Sequence, residues 1–280
     1  VHYLEQLDQT SVSATASLAD LRTRLARPLA HEGMDAMHVI DELVADVEGG
    51  VLGTAGGRFF GWVVGGTVPA ALAADCLTST WDQPNALYAS GPAEAVIEEV
   101  CGQWLKELLG LPAVASFALV TGCQMAHVTC LAAARHAMLD RHGWDVERKG
   151  LAGAPQIRIV SSNQRHGSIQ RAVHLLGLGS DNVVDLPVNE GRQLEARELS
   201  RALQEDHHRP TIVVLQAGDI NIGAYDPFAE LIPIAHESGA WVHIDGAFGL
   251  WAAASPRYGH LLTGVAQADS WATDGHKWLN

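Results

Sequence analysis

The chain has 280 residues, enough for one large α/β domain or two smaller ones with a sizeable core. Hydrophobic residues make up 48% and charged residues 18%, a globular rather than a disordered composition. The formal charge of -14, from 32 acidic against 18 basic residues, opposes nonspecific binding to nucleic acid or to an anionic membrane.

Residues 1–48 are polar and helix-prone, with Asp20-Leu21 and Asp41-Glu42-Leu43-Val44 opening apolar-periodic stretches and Thr10–Ser17 read as a loop. Residues 49–67 are Gly-rich and irregular, and carry Phe59, Phe60 and Trp62. The uncharged stretch from Phe59 to Ala74 is broken by glycines and Pro69, and falls short of the roughly 20 apolar residues of a spanning helix. Helices are predicted over 94–109, 124–139, 168–176, 195–204 and 227–237. Strands are predicted over 116–120, 157–160, 183–186, 211–215, 241–244 and 270–273. These strands are nearly all apolar rather than alternating, as in a sheet covered on both faces. The alternation of strands and helices predicts a mostly parallel, doubly wound α/β sheet.

In such sheets ligands bind beyond the carboxyl ends of the strands. The residues there are Thr121-Gly122-Cys123-Gln124, Ser161 to His166, Gln216 to Asp219, Asp245-Gly246-Ala247 and Asp274-Gly275-His276-Lys277. Asp245 ends the apolar run Trp241-Val242-His243-Ile244, where a partly desolvated carboxylate needs a donor or cation. A turn-capping Asp is an equal alternative. Lys277 is flanked by Trp271, Trp278 and Leu279 rather than by surface-like residues, and a desolvated lysine is a nucleophile suited to Schiff-base chemistry. Gly122-Cys123-Gln124 opens a helix whose N–H groups can hold a phosphate, although every such turn has a helix N-terminus. His166 is either a plain helix-start residue or a ring that stacks on a conjugated cofactor.

Other chemistries find little support. There is no GxxxxGK[ST], no HExxH and no GxSxG, and Gly177-Leu178-Gly179 lacks the third glycine of a dinucleotide fingerprint. No metal site is expected. Cys76, Cys101, Cys123 and Cys130 form no CxxC pair and read as reduced thiols of a cytoplasmic protein. The N-terminal residues show no charged-then-apolar leader pattern. The start at Val1 and the apolar end at Asn280 give the expectation of a fragment of a longer protein.

His243-Ile244-Asp245-Gly246-Ala247-Phe248, followed by Thr273-Asp274-Gly275-His276-Lys277-Trp278-Leu279-Asn280, resembles the group II pyridoxal-phosphate-dependent decarboxylases, which include aromatic L-amino acid and glutamate decarboxylases. Arg58-Phe59-Phe60-Gly61-Trp62, Tyr88-Ala89-Ser90-Gly91-Pro92, Val120-Thr121-Gly122 and Gly223-Ala224-Tyr225-Asp226-Pro227 also fit, and the bacterial members look most similar. The resemblance implies a fold type I (aspartate aminotransferase-like) large domain over 49–280, without the C-terminal small domain, preceded by a dimer-wrapping helical segment over 1–48. It implies a homodimer that uses pyridoxal 5'-phosphate on a small-molecule amino acid substrate; the charge and the lack of a spanning stretch predict no nucleic acid and no membrane partner. Lys277 would form the Schiff base and Asp245 would pair with the pyridine nitrogen. Ala247 and His166 would pack on the two ring faces. Gly122, Cys123 and Gln124 would supply phosphate donors, with His276 nearby.

Two departures stand out. Cys123-Gln124-Met125-Ala126-His127 replaces the usual small-residue run, and Asp274 stands where some members carry Asn. Phe59, Phe60 and Trp62 favour decarboxylation of an aromatic amino acid. The alternatives are an acidic substrate, oxidative deamination to an aldehyde, or a non-catalytic truncated fragment.

Overall fold

The structure is a computed structural model that describes residues 2–29, 31–84 and 86–279. It divides into two compact units, residues 1–72 and residues 73–279.

The first unit holds α1 (His2–Glu5), α2 (Leu18–Leu25) and α3 (Ala36–Asp46). Ser17 caps α2 by accepting from the Asp20 N–H, and the Asp20 carboxylate accepts in return from the Ser17 N–H. Asp35 caps α3 by accepting from the N–H groups of Met37 and His38. Neither α2 nor α3 buries a residue, and α3 leaves Met37, Ile40, Leu43 and Val44 exposed. Next in the chain is α4 (Pro69–Trp81), which has no counterpart in the sequence reading. Its Ala-rich run favours a helix but carries no buried stripe that a periodic pattern would reveal.

The second unit continues with α5 (Pro92–Leu108), α6 (Gly122–Arg141) and α7 (Val146–Lys149). Then β1 (Arg158–Ser162), α8 (Gly167–Leu175), β2 (Val183–Leu186), α9 (Ala196–Glu205), β3 (Thr211–Gln216), α10 (Phe228–Glu237), β4 (Trp241–Asp245) and β5 (Ser270–Ala272) follow. The strands form one sheet in the order β2-β1-β3-β4-β5, parallel at every pairing.

Strand alternation sorts the core onto two faces. Ile159, Ile212 and Val214 pack with Leu131, Ala134 and Met138 of α6 and Ile169 and Val173 of α8. Val160, Val213, Leu215, Val242 and Ile244 pack with Leu199 and Leu203 of α9 and Phe228, Leu231 and Ile232 of α10. Burial on both sides explains why the central strands read as largely apolar runs.

The predicted strand Ser116–Val120 is absent. The segment is irregular, with Phe117, Leu119 and Val120 exposed at 38%, 55% and 40%. Its composition suits a strand, but a strand needs a neighbour to complete its ladder. The available sheet edge is β5, and Ser116–Val120 does not pair with it. The two instead line one apolar hollow of about 780 Å³, together with Leu105, Trp251 and Trp271.

Candidate active site

On β4, Val242 and Ile244 face the α9 and α10 core, so Trp241, His243 and Asp245 share the opposite face. Asp245 stands at the carboxyl end of the strand and is 6% exposed. The Ala247 N–H donates to its Oδ1 at 3.3 Å, and His127 Nε2 lies 3.5 Å from the same oxygen. Among the described residues no donor reaches Oδ2. Burial pushes the Asp245 carboxyl up, but His127, the Ala247 N–H and His243 together outweigh it and hold the group below the ordinary carboxylate range. Asp245 is therefore a buried carboxylate with one oxygen fixed and one free.

The first turn of α6 begins at Gly122, whose φ of +77° is the left-handed region that favours glycine. A Cβ there would meet nothing within 4 Å, so the turn is open. Cys123 and His127, four residues apart, share one helix face, with Sγ 3.5 Å from Nε2. Burial, then the charges of Asp245 and Asp274, push the Cys123 thiol up to about 12. The ligand atoms of Cys123, His127 and Asp245 lie within 4.8 Å of one another, a trio able in chemistry to hold a cation as well as a hydrogen-bond network. The Gln124 side chain is committed to α8, donating to the Ser168 carbonyl at 3.1 Å and accepting from Arg171 at 2.8 Å.

Lys277 is brought toward Asp245 by a stitched pair of loops. The Gly246 N–H donates to the Ala272 carbonyl at 2.9 Å, and Thr273 Oγ1 donates to the Gly246 carbonyl at 3.0 Å. The Asp274 N–H donates to the Ala247 carbonyl at 3.0 Å, and the Trp278 indole N–H to the Phe248 carbonyl at 2.9 Å. Lys277 is half-buried, with Nζ 5.5 Å from the centre of the Phe248 ring. His276 is exposed, and its N–H donates to Asp274 Oδ1 at 3.1 Å.

His166 is the N-cap of α8, where its Nδ1 accepts from the Ser168 N–H at 3.3 Å. Burial lowers its pKa, against the opposing charge of Asp245 and in concert with Lys277, so all three lie within one electrostatic neighbourhood. Sequence reasoning missed three polar neighbours of this site, His127, His243 and Ser270. The pattern His243-x-Asp245 held one signal, since residues two apart share a strand face. Arg192, at a left-handed φ of +59°, sits 3.0 Å from the buried Asp219 on the loop after β3.

These features fit pyridoxal phosphate. The unpartnered Oδ2 suits a protonated ring nitrogen, the open start of α6 suits a phosphate, and the Lys277 amine suits an aldehyde. The parallel sheet and this site define an α/β protein of PLP fold type I. The profile of the pyridoxal-dependent decarboxylase conserved domain matches residues 22–280, and the chain belongs to that family. It is 28% identical to an aromatic-L-amino-acid decarboxylase of Bacillus atrophaeus, covering 100% of this chain and 56% of the relative. It is 28% identical to the cysteine sulfinic acid decarboxylase of Homo sapiens, over 79% of this chain and 45% of the relative. The crystal structure of Oryza sativa TDC with PLP and tryptamine superposes with a TM-score of 0.88 at 25% identity, over 99% of this chain and 61% of that one. The chain thus spans about half the length of the curated relatives it matches. Among the described residues no helix is long and apolar enough to cross a membrane.

Proposed function

We propose that the complete protein decarboxylates an L-amino acid, with aromatic substrates favoured, using pyridoxal phosphate held at the carboxyl edge of β4 and β5. The observation that carries this reading is the stitching of the Lys277 loop to the Asp245 loop, which places an amine and a buried carboxylate at one sheet edge. When bound, the cofactor supplies an electron sink for the negative charge that loss of CO2 leaves on the substrate.

The chain's own groups do the rest. Lys277 would supply the amine that holds the cofactor's aldehyde carbon. Asp245 would keep the ring nitrogen protonated by presenting a fixed negative charge in a water-poor site. Ala247 and His166 would flank the ring. The N–H groups of Gly122, Cys123 and Gln124 would orient the phosphate, with His276 assigned to the same group. Residues 49–280 form the cofactor-binding large domain in this reading.

Residues 1–48 serve dimerisation in the same reading, so the working form is a homodimer. The exposed apolar residues of α3 support this, because a helix stripe with nothing to cover it favours association. A monodisperse monomer in light scattering would overturn it. The free cysteines suit a reducing, cytoplasmic location.

The aromatic preference is supported by Phe59, Phe60 and Trp62 and by the names of several relatives, although the human relative is named for an acidic substrate. Relatives named as aldehyde synthases, from Petunia hybrida and Rhodiola rosea, make the product a necessary readout. A panel of aromatic and acidic amino acids, assayed for CO2, amine and aldehyde, tests the reading. Amine from aromatic substrates is expected. Turnover of acidic substrates alone would remove the aromatic preference, and aldehyde as the product would replace simple decarboxylation.

A further inference from the structure

Four polar side chains behind Asp245 have no part in the roles above. They form a line. Trp241 Nε1 lies 2.9 Å from Ser270 Oγ, and Ser270 Oγ lies 2.9 Å from His243 Nδ1. His243 Nε2 lies 3.0 Å from His127 Nδ1, and His127 Nε2 lies 3.5 Å from Asp245 Oδ1. The fold makes this line. His243 and Ser270 are register partners across the β4–β5 ladder, and α6 lays His127 against the same face. Both histidines are 0% exposed.

The proton positions follow from donor and acceptor chemistry. An indole N–H can only donate, so Ser270 Oγ accepts from Trp241. Among the described residues the Ser270 hydroxyl has one other partner, His243 Nδ1, and its own proton goes there. A neutral His243 then carries its proton on Nε2 and donates it to His127 Nδ1. A doubly protonated His127 would set N–H against N–H across that contact. His127 therefore carries one proton, on Nε2, toward Asp245. The reverse order would begin with the Cys123 thiol donating to His127 Nε2. It would leave the Ser270 proton without an acceptor and turn a nitrogen lone pair toward a carboxylate.

We propose that Trp241, Ser270, His243 and His127 form a one-way hydrogen-bond chain that delivers an N–H to Asp245, which makes His127 a positioning residue for that carboxylate. The chain is defined in the protein itself. Its purpose rests on the reading of Asp245 as the partner of the cofactor's ring nitrogen.

Imidazole 15N NMR on the complete protein without cofactor tests the chain directly, with His127→Asn and His243→Asn assigning the signals. Both histidines are expected as neutral Nε2–H tautomers. An Nδ1–H tautomer at either position, or a doubly protonated His127, overturns the proposal. Cofactor affinity gives a second readout. His127→Asn keeps an amide N–H for Asp245 and is expected to stay within about threefold of wild type, whereas His127→Phe is expected to bind about tenfold more weakly. Equal losses in the two variants would overturn the positioning role. Wrong tautomers in a protein that still binds the cofactor defeat the chain and leave the functional reading intact. Expected tautomers in a protein that never binds it uphold the chain and defeat that reading.

Discussion

The His127 and His243 rings meet edge to face, with centroids 5.3 Å apart and planes at 88°, and Nδ1 of the first lies 3.0 Å from Nε2 of the second. This one contact joins α6 to β4 across 116 positions of sequence. It couples the helix whose open N-terminus suits an anion to the strand whose end carries Asp245.

Burial of His243 sets a pH dependence. Its pKa is pushed down to about 3 from an ordinary 6.5, so the folded protein refuses a proton that the unfolded chain accepts. Stability is then lost as pH falls from about 6.5 toward 3, with a slope of up to about 1.4 kcal/mol per pH unit from one such group. Asp226 opposes this. Burial raises its carboxyl from 3.8 to about 6, so the folded state takes up that proton first and gains stability across that interval. Denaturant midpoints across the acid range are expected to fall less steeply in His243→Asn than in wild type. Equal slopes would contradict the burial of a neutral His243.

Gly249 marks a point where two backbones touch. A Cβ there would lie 2.1 Å from the Ala217 carbonyl oxygen and 2.8 Å from the Gly218 nitrogen, neither of which can swing aside. Gly249→Ala is expected to cost about 3 kcal/mol, against less than about 0.5 kcal/mol for Gly275→Ala, where a Cβ meets nothing within 4 Å. Thermal melts of the two variants check this, and similar midpoints would contradict the close approach.

Cys123 sits at the proposed phosphate turn but is a poor nucleophile. With its thiol pushed from 9.0 to about 12, its thiolate fraction is about a thousandfold below that of an ordinary cysteine. Cys130, raised by burial to about 11, follows the same rule. Alkylation mapped by mass spectrometry is expected to modify the exposed Cys76 first and native Cys123 at least about a hundredfold more slowly. Rapid labelling of native Cys123 would contradict its buried, protonated state.

Much of the fold was legible because the strands carry the largely apolar runs of a sheet covered on both faces, and most of them end in polar residues. Asp245 and Lys277 stood out for the same reason, as titratable groups among neighbours that are not surface-like. Ser116–Val120 misled because its composition suits a strand, whereas pairing depends on a neighbour that composition does not reveal. His127 was visible only as a departure from the family's small residues. Its meaning needed the register that sets His243 opposite Ser270 and the helix that brings His127 alongside. Arg192 was missed because its partner Asp219 lies 27 positions away, on another loop.

Lys277 and Asp245 together are proposed to form a pyridoxal-phosphate site. The most direct test is the visible absorption spectrum of the purified protein with added pyridoxal phosphate, measured beside Lys277→Ala. The band of a lysine-linked cofactor is expected in the parent, and its loss in the variant. A folded parent with no band, or a band that survives unchanged in Lys277→Ala, would contradict it.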